Sequence, residues 1–224
     1  MLYISLTQIL IDCVSLSPRL SPQLDARSFF WGVAPGADST VSGFIALLSA
    51  AEALSHLPDI GTLRKNIMFL FFQGETFDYI GSSKVVYDMK NGNFPIRLGN
   101  IDAYLEMNQV GQGYSIWAHT DPVSRQNSSI EGGVQSLLKS LSAATSGTNV
   151  TLQEPDHSQP LPPSSFHRFL REQSIPGVVL TDHQAAFTNR SVPSPPWRCA
   201  QSSAVTEEAP LPSPQHLLRA PFQQ

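Results

Sequence analysis

The sequence predicts an α/β sandwich built on a mostly parallel central sheet. Two observations carry that prediction. Continuous apolar runs of strand length, NIMFLFF at 66–72 and GVVLT at 177–181, read as strands buried on both faces, as parallel sheets require. Segments with apolar residues at helical spacing lie between and around such runs, and this alternation is the pattern of the α/β class.

The elements follow in order. Residues 39–56 place Val41, Phe44, Ile45, Leu48, Ala51 and Leu54 on a wide helical stripe, with Ser39 or Thr40 as its cap. The run 66–72 is expected as a central parallel strand. A helix at 82–89 and an extended stretch at 101–110 come next, with a short strand at 114–118. Residues 132–145 form an amphipathic helix that presents Val134, Leu137, Leu138 and Leu141 on one side. The proline-rich run 158–165 reads as a loop that hands over to a helix at 166–173, and the strand at 177–181 closes the pattern. After Arg190 the character changes: residues 191–224 hold seven prolines, keep no period, and read as disordered or loosely attached.

Composition narrows the function. The chain has 224 residues, enough for one compact domain, and 41% of them are hydrophobic, enough for a core. Only 14% are charged, which suits a large buried interface, a lumenal domain or long uncharged loops. A net charge of −4 gives no basic footprint for nucleic acid. Cys13 and Cys199 lie far apart and do not fix the redox compartment. Three N-x-S/T sequons begin at Asn127, Asn149 and Asn189. No stretch reaches the roughly 18–20 apolar residues of a membrane-spanning helix. The apolar opening carries Asp12 and no positive flank, so it reads as a buried strand or a non-native leader rather than a signal peptide.

Chemistry in open α/β sheets sits beyond the carboxyl ends of the strands, and three segments are placed there. They are PGADSTVSG at 35–43, QGETFDYIGS at 73–82 and LEMNQVG at 105–111. In this order and spacing they resemble the metal-binding segments of zinc aminopeptidases of the di-zinc exopeptidase class. The resemblance implies a three-layer, aminopeptidase-like sandwich with a mostly parallel or mixed sheet, incomplete in this chain. It also implies a site whose ligands are largely gone. The leading HxD pair falls on 23–25 and retains only Asp25. The bridging aspartate falls on Ser39, with Asp38 one position away. Glu75 matches the catalytic glutamate, but Thr76 stands for the ligand after it, and Asn108 stands for the ligand of the third segment. The last histidine belongs beyond Phe187, where the match ends. Serine, threonine and asparagine are poor zinc ligands, so no metal, no cofactor and no catalytic residue is expected.

The DYIGS string within FFQGETFDYIGSS is similar to the signature of the nicastrin family. That resemblance extends through WAHTDPVS at 117–124, QPLPPSS at 159–165 and GVVLTDH at 177–183, and so over residues 22–190. It implies a γ-secretase subunit-like ectodomain fragment without peptidase activity, membrane-associated on the lumenal or extracellular face. Its implied role is to support complex assembly and substrate access in intramembrane proteolysis, Notch signalling included. Its implied partners are the other γ-secretase subunits and type I membrane protein substrates, and Asn127 and Asn149 become the expected glycosylation sites. The expected partner contacts are Glu75, Asp78, Tyr79, Ile80, Gly81 and Ser82. Two readings of Glu75 stand side by side: a carboxylate capping a strand-to-helix turn, or a cleft carboxylate that binds a cation such as a protein N-terminus. Gly81 is expected to permit a tight turn and Ser82 to cap the helix after it.

The chain departs from the family at both ends. Residues 1–21 read as a non-matching leader, 22–190 as a partial ectodomain and 191–224 as a separate tail. The resemblance implies an N-terminal lobe and a transmembrane helix that are not read in this sequence, so a partial or alternatively spliced product, or an incomplete gene model, is expected. The histidines form no constellation, and a surface or structural role is expected for each. The alternative function is a working zinc aminopeptidase with Glu75 as general base and Asp25 and Asp38 as ligands.

Overall fold

A computed structural model describes residues 41–63, 65–111 and 113–186, and the backbone of 16–21. Among these residues six strands form one mixed sheet in the order β2-β1-β3-β6-β4-β5. They are β1 (Leu16–Ser21), β2 (Asn66–Phe69), β3 (Tyr104–Met107), β4 (Ser115–His119), β5 (Thr151–Gln153) and β6 (Gly177–Thr181). β1 pairs parallel with both β2 and β3, and β3 pairs parallel with β6. β4 runs antiparallel to β6 and parallel to β5. The carboxyl ends of β2, β1, β3 and β6 therefore point the same way.

Among the described residues four α-helices cover the two faces. α1 (Gly43–Ser55) and α3 (Ser128–Thr145) pack with Leu105 and Met107 of β3, Ile116 and Ala118 of β4, and Val178 and Leu180 of β6. α2 (Ile80–Asn91) and α4 (Phe166–Glu172) pack on the other face, around Phe72, Tyr104 and Val179. Alternate residues of β3 and β6 thus serve opposite cores, as the two-residue period of a strand dictates. Tyr104 stacks on Phe166 with ring centroids 4.5 Å apart and meets Phe169 at 5.0 Å. This aromatic cluster fixes α4 over the start of β3, and burying rings of this size contributes more to a core than any single polar contact.

Several sequence expectations change. The run 66–72 is not a central strand: β2 covers only 66–69, is half-buried throughout, and pairs with β1 alone among the described residues. The apolar run marks both a strand at the margin of the described sheet and Phe72, which turns into the core of the α2–α4 face. A strand, β1, occupies the last six residues of the segment read as a leader. Ser39 and Thr40 lie outside the described residues. Ser42, at the start of α1, makes no cap bond to its own helix; its Oγ accepts instead from the N–H of Val110 at 3.1 Å. At α3 the sequon residue Asn127 is the cap, its side-chain oxygen accepting from Ser129 N at 3.0 Å. Among the described residues no helix is long and apolar enough to cross a membrane.

Candidate functional site

The loop from Gln73 to Ile80 leads from the end of β2 to α2. Backbone bonds Phe77 N to Gly74 O (3.2 Å), Tyr79 N to Glu75 O (3.1 Å) and Ile80 N to Gly74 O (3.2 Å) wind it tightly. Asp78 and Tyr79 take φ of 56° and 57°, the left-handed region. That conformation costs an ordinary L-residue about 1–2 kcal/mol, so the surroundings must hold it in place.

Glu75 is the principal fastening. It is 1% exposed. Its Oε1 accepts from Ser82 N at 2.8 Å, and its Oε2 accepts from Ser82 Oγ at 2.7 Å and Ser165 Oγ at 2.6 Å. Glu75 is buried rather than on the surface, and it bonds to the first turn of α2 as a capping carboxylate would. Ser82 is likewise buried, in the first turn of α2 rather than at its cap, and its hydroxyl serves Glu75. Gly81 does not supply a left-handed turn. It supplies room: a Cβ there would stand 2.5 Å from the Gln73 carbonyl oxygen and 3.0 Å from Glu75 Oε1.

A second buried carboxylate, Glu106 on β3, lies beside this arrangement. Its Oε2 accepts from Ser164 Oγ at 2.9 Å and Phe166 N at 3.1 Å, with the Tyr104 hydroxyl at 3.4 Å, and its Oε1 accepts from Ser165 N at 3.3 Å. Burial pushes its pKa from 4.5 up to about 7. The Ser164, Phe166 and Ser165 bonds oppose that rise, and the nearby Glu75 charge adds to it. Ser165 therefore touches both carboxylates, Glu106 through its N–H and Glu75 through its hydroxyl. The sequence reading passed over Glu106, Ser164 and Ser165. The available signal was a lone carboxylate inside an otherwise apolar strand, which needs partners when buried.

The remaining signature residues face outward. Asp78 accepts from Arg168 Nη2 of α4 through both its carbonyl (2.8 Å) and its Oδ1 (2.6 Å). The Arg168 guanidinium lies 5.3 Å from the centre of the Tyr79 ring, which meets His167 edge-on at 6.5 Å. Phe77 and Ile80 are 73% and 55% exposed.

His119 and His183 are buried, while His56, His157 and His167 are exposed. The Nε2 of His119 lies 3.0 Å from the His183 carbonyl and 2.9 Å from Thr181 Oγ1. Since a carbonyl can only accept, Nε2 carries the hydrogen, and Nδ1 is buried without a partner. Burial, and the charge His183 would carry, hold the His119 pKa below its ordinary value against the hydrogen bond to His183.

No group of three or more His, Cys, Asp or Glu side chains among the described residues is placed to hold a metal ion. The expected ligand positions carry Thr76 and Asn108, and the Asn108 amide donates to Pro163 O at 2.9 Å. Neither a threonine hydroxyl nor an asparagine amide is a usual zinc ligand. Asp25, Asp38 and Ser39 lie outside the described residues.

The family model described as Nicastrin large lobe matches residues 20–196. The chain belongs to the nicastrin family. Human nicastrin is 55% identical over 171 residues, which make up 75% of this chain and 24% of the human protein. Nicastrin of Arabidopsis thaliana is 33% identical over 177 residues, covering 75% of this chain and 26% of that protein. The chain thus spans about a quarter of the length of the curated relatives it matches. Among solved structures, a crystal structure of the γ-secretase component nicastrin aligns with a TM-score of 0.63 at 21% identity, covering 78% of this chain and 35% of that one. The Legionella pneumophila LapA structure aligns with a TM-score of 0.57 at 18% identity, covering 90% and 50%. The aminopeptidase-like α/β fold read from the sequence is therefore the observed fold of this nicastrin-family chain.

Proposed function

We propose that this chain acts as a non-catalytic part of a γ-secretase subunit, supporting complex assembly and substrate access in intramembrane cleavage of type I membrane proteins. Notch-class receptors are among those substrates. In this reading the domain stands on the lumenal or extracellular side, and its partners are the other γ-secretase subunits. Asn127 and Asn149 carry glycans, and both are exposed as that requires. The partner contacts are Asp78, Tyr79 and Ile80, displayed by Gly81 and by the buried Glu75 and Ser82.

One observation supports the loss of catalysis best. Glu75, the residue that would act as general base, has both oxygens occupied by Ser82 and Ser165. Three hydrogen bonds from within the protein hold that buried carboxylate, which favours a fastening over a base that activates water. The exposed Phe77 and Ile80 beside the Asp78 turn support a contact surface there.

The test pairs two measurements on the same tagged chain. Co-purification with the other γ-secretase subunits from detergent-solubilised membranes, weakened by Tyr79→Ala or Ile80→Ala, is expected. Zinc analysis and aminopeptidase assay of the purified chain are expected to give neither stoichiometric metal nor turnover. Bound zinc with bestatin-sensitive hydrolysis would overturn the reading.

A further inference from the structure

We infer that Arg168 of α4 is the positioning residue of the 77–80 turn: its guanidinium holds Asp78 and Tyr79 in the left-handed conformation that displays Phe77 and Ile80. Its use, though not its geometry, rests on the reading of that turn as a partner contact.

The turn needs such a clamp. Asp78 and Tyr79 stand at φ of 56° and 57°, one directly after the other. An aspartate visits that region at modest cost, whereas a bulky ring does so rarely. Strain of this kind persists only where the surroundings over-determine it. The bonds from Glu75 to Ser82 and Ser165 fasten the two ends of the loop.

Arg168 reaches the strained residues themselves. Its Nη2 donates to the Asp78 carbonyl at 2.8 Å and to Asp78 Oδ1 at 2.6 Å. Its guanidinium carbon lies 5.3 Å from the centre of the Tyr79 ring. The Asp78 side chain is 90% exposed, and an ion pair so exposed would do little alone. The carbonyl bond, however, fixes the peptide plane between the two residues, and the planar cation beside the ring holds the second of them.

A clamp also needs a fixed base. Arg168 lies between Phe166 and Phe169, both fully buried. Phe166 stacks on Tyr104, and Phe169 meets both Tyr104 and Phe72, the residue just before the loop. One aromatic cluster thus anchors the entry to the loop and the helix that grips its far side.

Amide hydrogen exchange of the whole chain, read residue by residue by NMR, tests the clamp. Arg168→Met keeps an apolar stem and removes the cation. Exchange of the Phe77, Tyr79 and Ile80 amides should quicken about fivefold in it, while β3 and β6 keep wild-type rates. Asp78→Gly removes the carboxylate and takes the left-handed region freely, so Arg168→Met should add much less in that background. Equal effects of Arg168→Met in the two backgrounds would overturn the proposal, because lost packing alone does not depend on residue 78. Unchanged exchange in Arg168→Met would overturn it too. In the wild-type chain, whatever the variants do, cross-relaxation between the Arg168 guanidinium and Tyr79 ring protons is expected, and its absence counts against the clamp. Co-purification with the other γ-secretase subunits should weaken in Arg168→Met as in Tyr79→Ala. If Arg168→Met alone co-purifies undiminished, the positioning role fails. If Tyr79→Ala also does, the contact reading fails instead, and the exchange result decides the clamp by itself.

Discussion

Ser165 satisfies two carboxylates with two different atoms, so truncating its side chain and shifting its backbone have different consequences. In Ser165→Ala the N–H bond to Glu106 stays, but Glu75 Oε2 loses its 2.6 Å donor while remaining buried. An underpartnered buried acceptor costs about 1–3 kcal/mol, to be read as a lower urea midpoint. A midpoint equal to wild type would show that Glu75 finds another donor. Gly81→Ala tests a different force at the same place. Its Cβ would press on the Gln73 carbonyl at 2.5 Å, a backbone atom that cannot swing aside. Overpacking of this kind costs about 1–3 kcal/mol, and thermal melts should show a clear loss.

Adjacent glycines in α3 separate helix propensity from packing at the scale of an element. Gly132 is exposed and an added Cβ would meet nothing within 4 Å, whereas a Cβ on Gly133 would stand 2.7 Å from Cγ of Pro176. Gly132→Ala should therefore stabilise the chain by about 0.5–1 kcal/mol, because alanine gives up less entropy in a helix. Gly133→Ala should destabilise it, since the helix is pressed against the loop that enters β6. Equal effects from the two, by denaturant unfolding, would mean that α3 does not seat on Pro176 as observed. The helical period of 132–145 was legible in the sequence, but its start was not. α3 begins at Ser128 because Asn127 caps it, and the glycines had concealed that turn.

Across the whole molecule, buried ionisable groups pull stability in opposite directions with pH. Glu106, with its pKa raised to about 7, contributes most below 4.5 and loses that contribution as pH rises. His119, with its pKa lowered from 6.5, contributes above 6.5 and loses its contribution as pH falls. Glu131, held down to about 2 first by its hydrogen bond to Arg125, adds stability above 4.5 that is lost as pH falls towards 2. Just below pH 6.5 the Glu106 and His119 contributions oppose each other. Glu106→Gln should remove the part of the dependence that falls with rising pH. The difference in slope between the two proteins should be about 1.4 kcal/mol per pH unit up to about 7. Parallel curves from chemical denaturation at several pH values would contradict the burial of an ionisable Glu106.

The sequence by itself determined the class of fold, most of the helices and strands, and the family. Apolar periodicity reveals that an element is a helix or a strand, though not always its buried face: α1 buries Gly43, Leu47, Ala50 and Leu54, while Val41, Ile45 and Leu48 of the expected stripe are exposed. The dozen matched residues around DYIGS are too specific to arise by chance. It did not determine which strand lies at the margin. The run 66–72 is as apolar as any central strand, because Phe72 leaves the sheet to serve the α2–α4 core. Nor could it assign Glu75, whose position after a strand suits a cleft as well as a cap. Only the tertiary structure brings Ser165, ninety residues away, within 2.6 Å of it and sets Glu106 beside both. Patterns along a chain report local periods, whereas the partner of a buried charge is chosen by packing between elements distant in sequence. That packing makes Glu75 an interior fastening and leaves Asp78, Tyr79 and Ile80 to face outward.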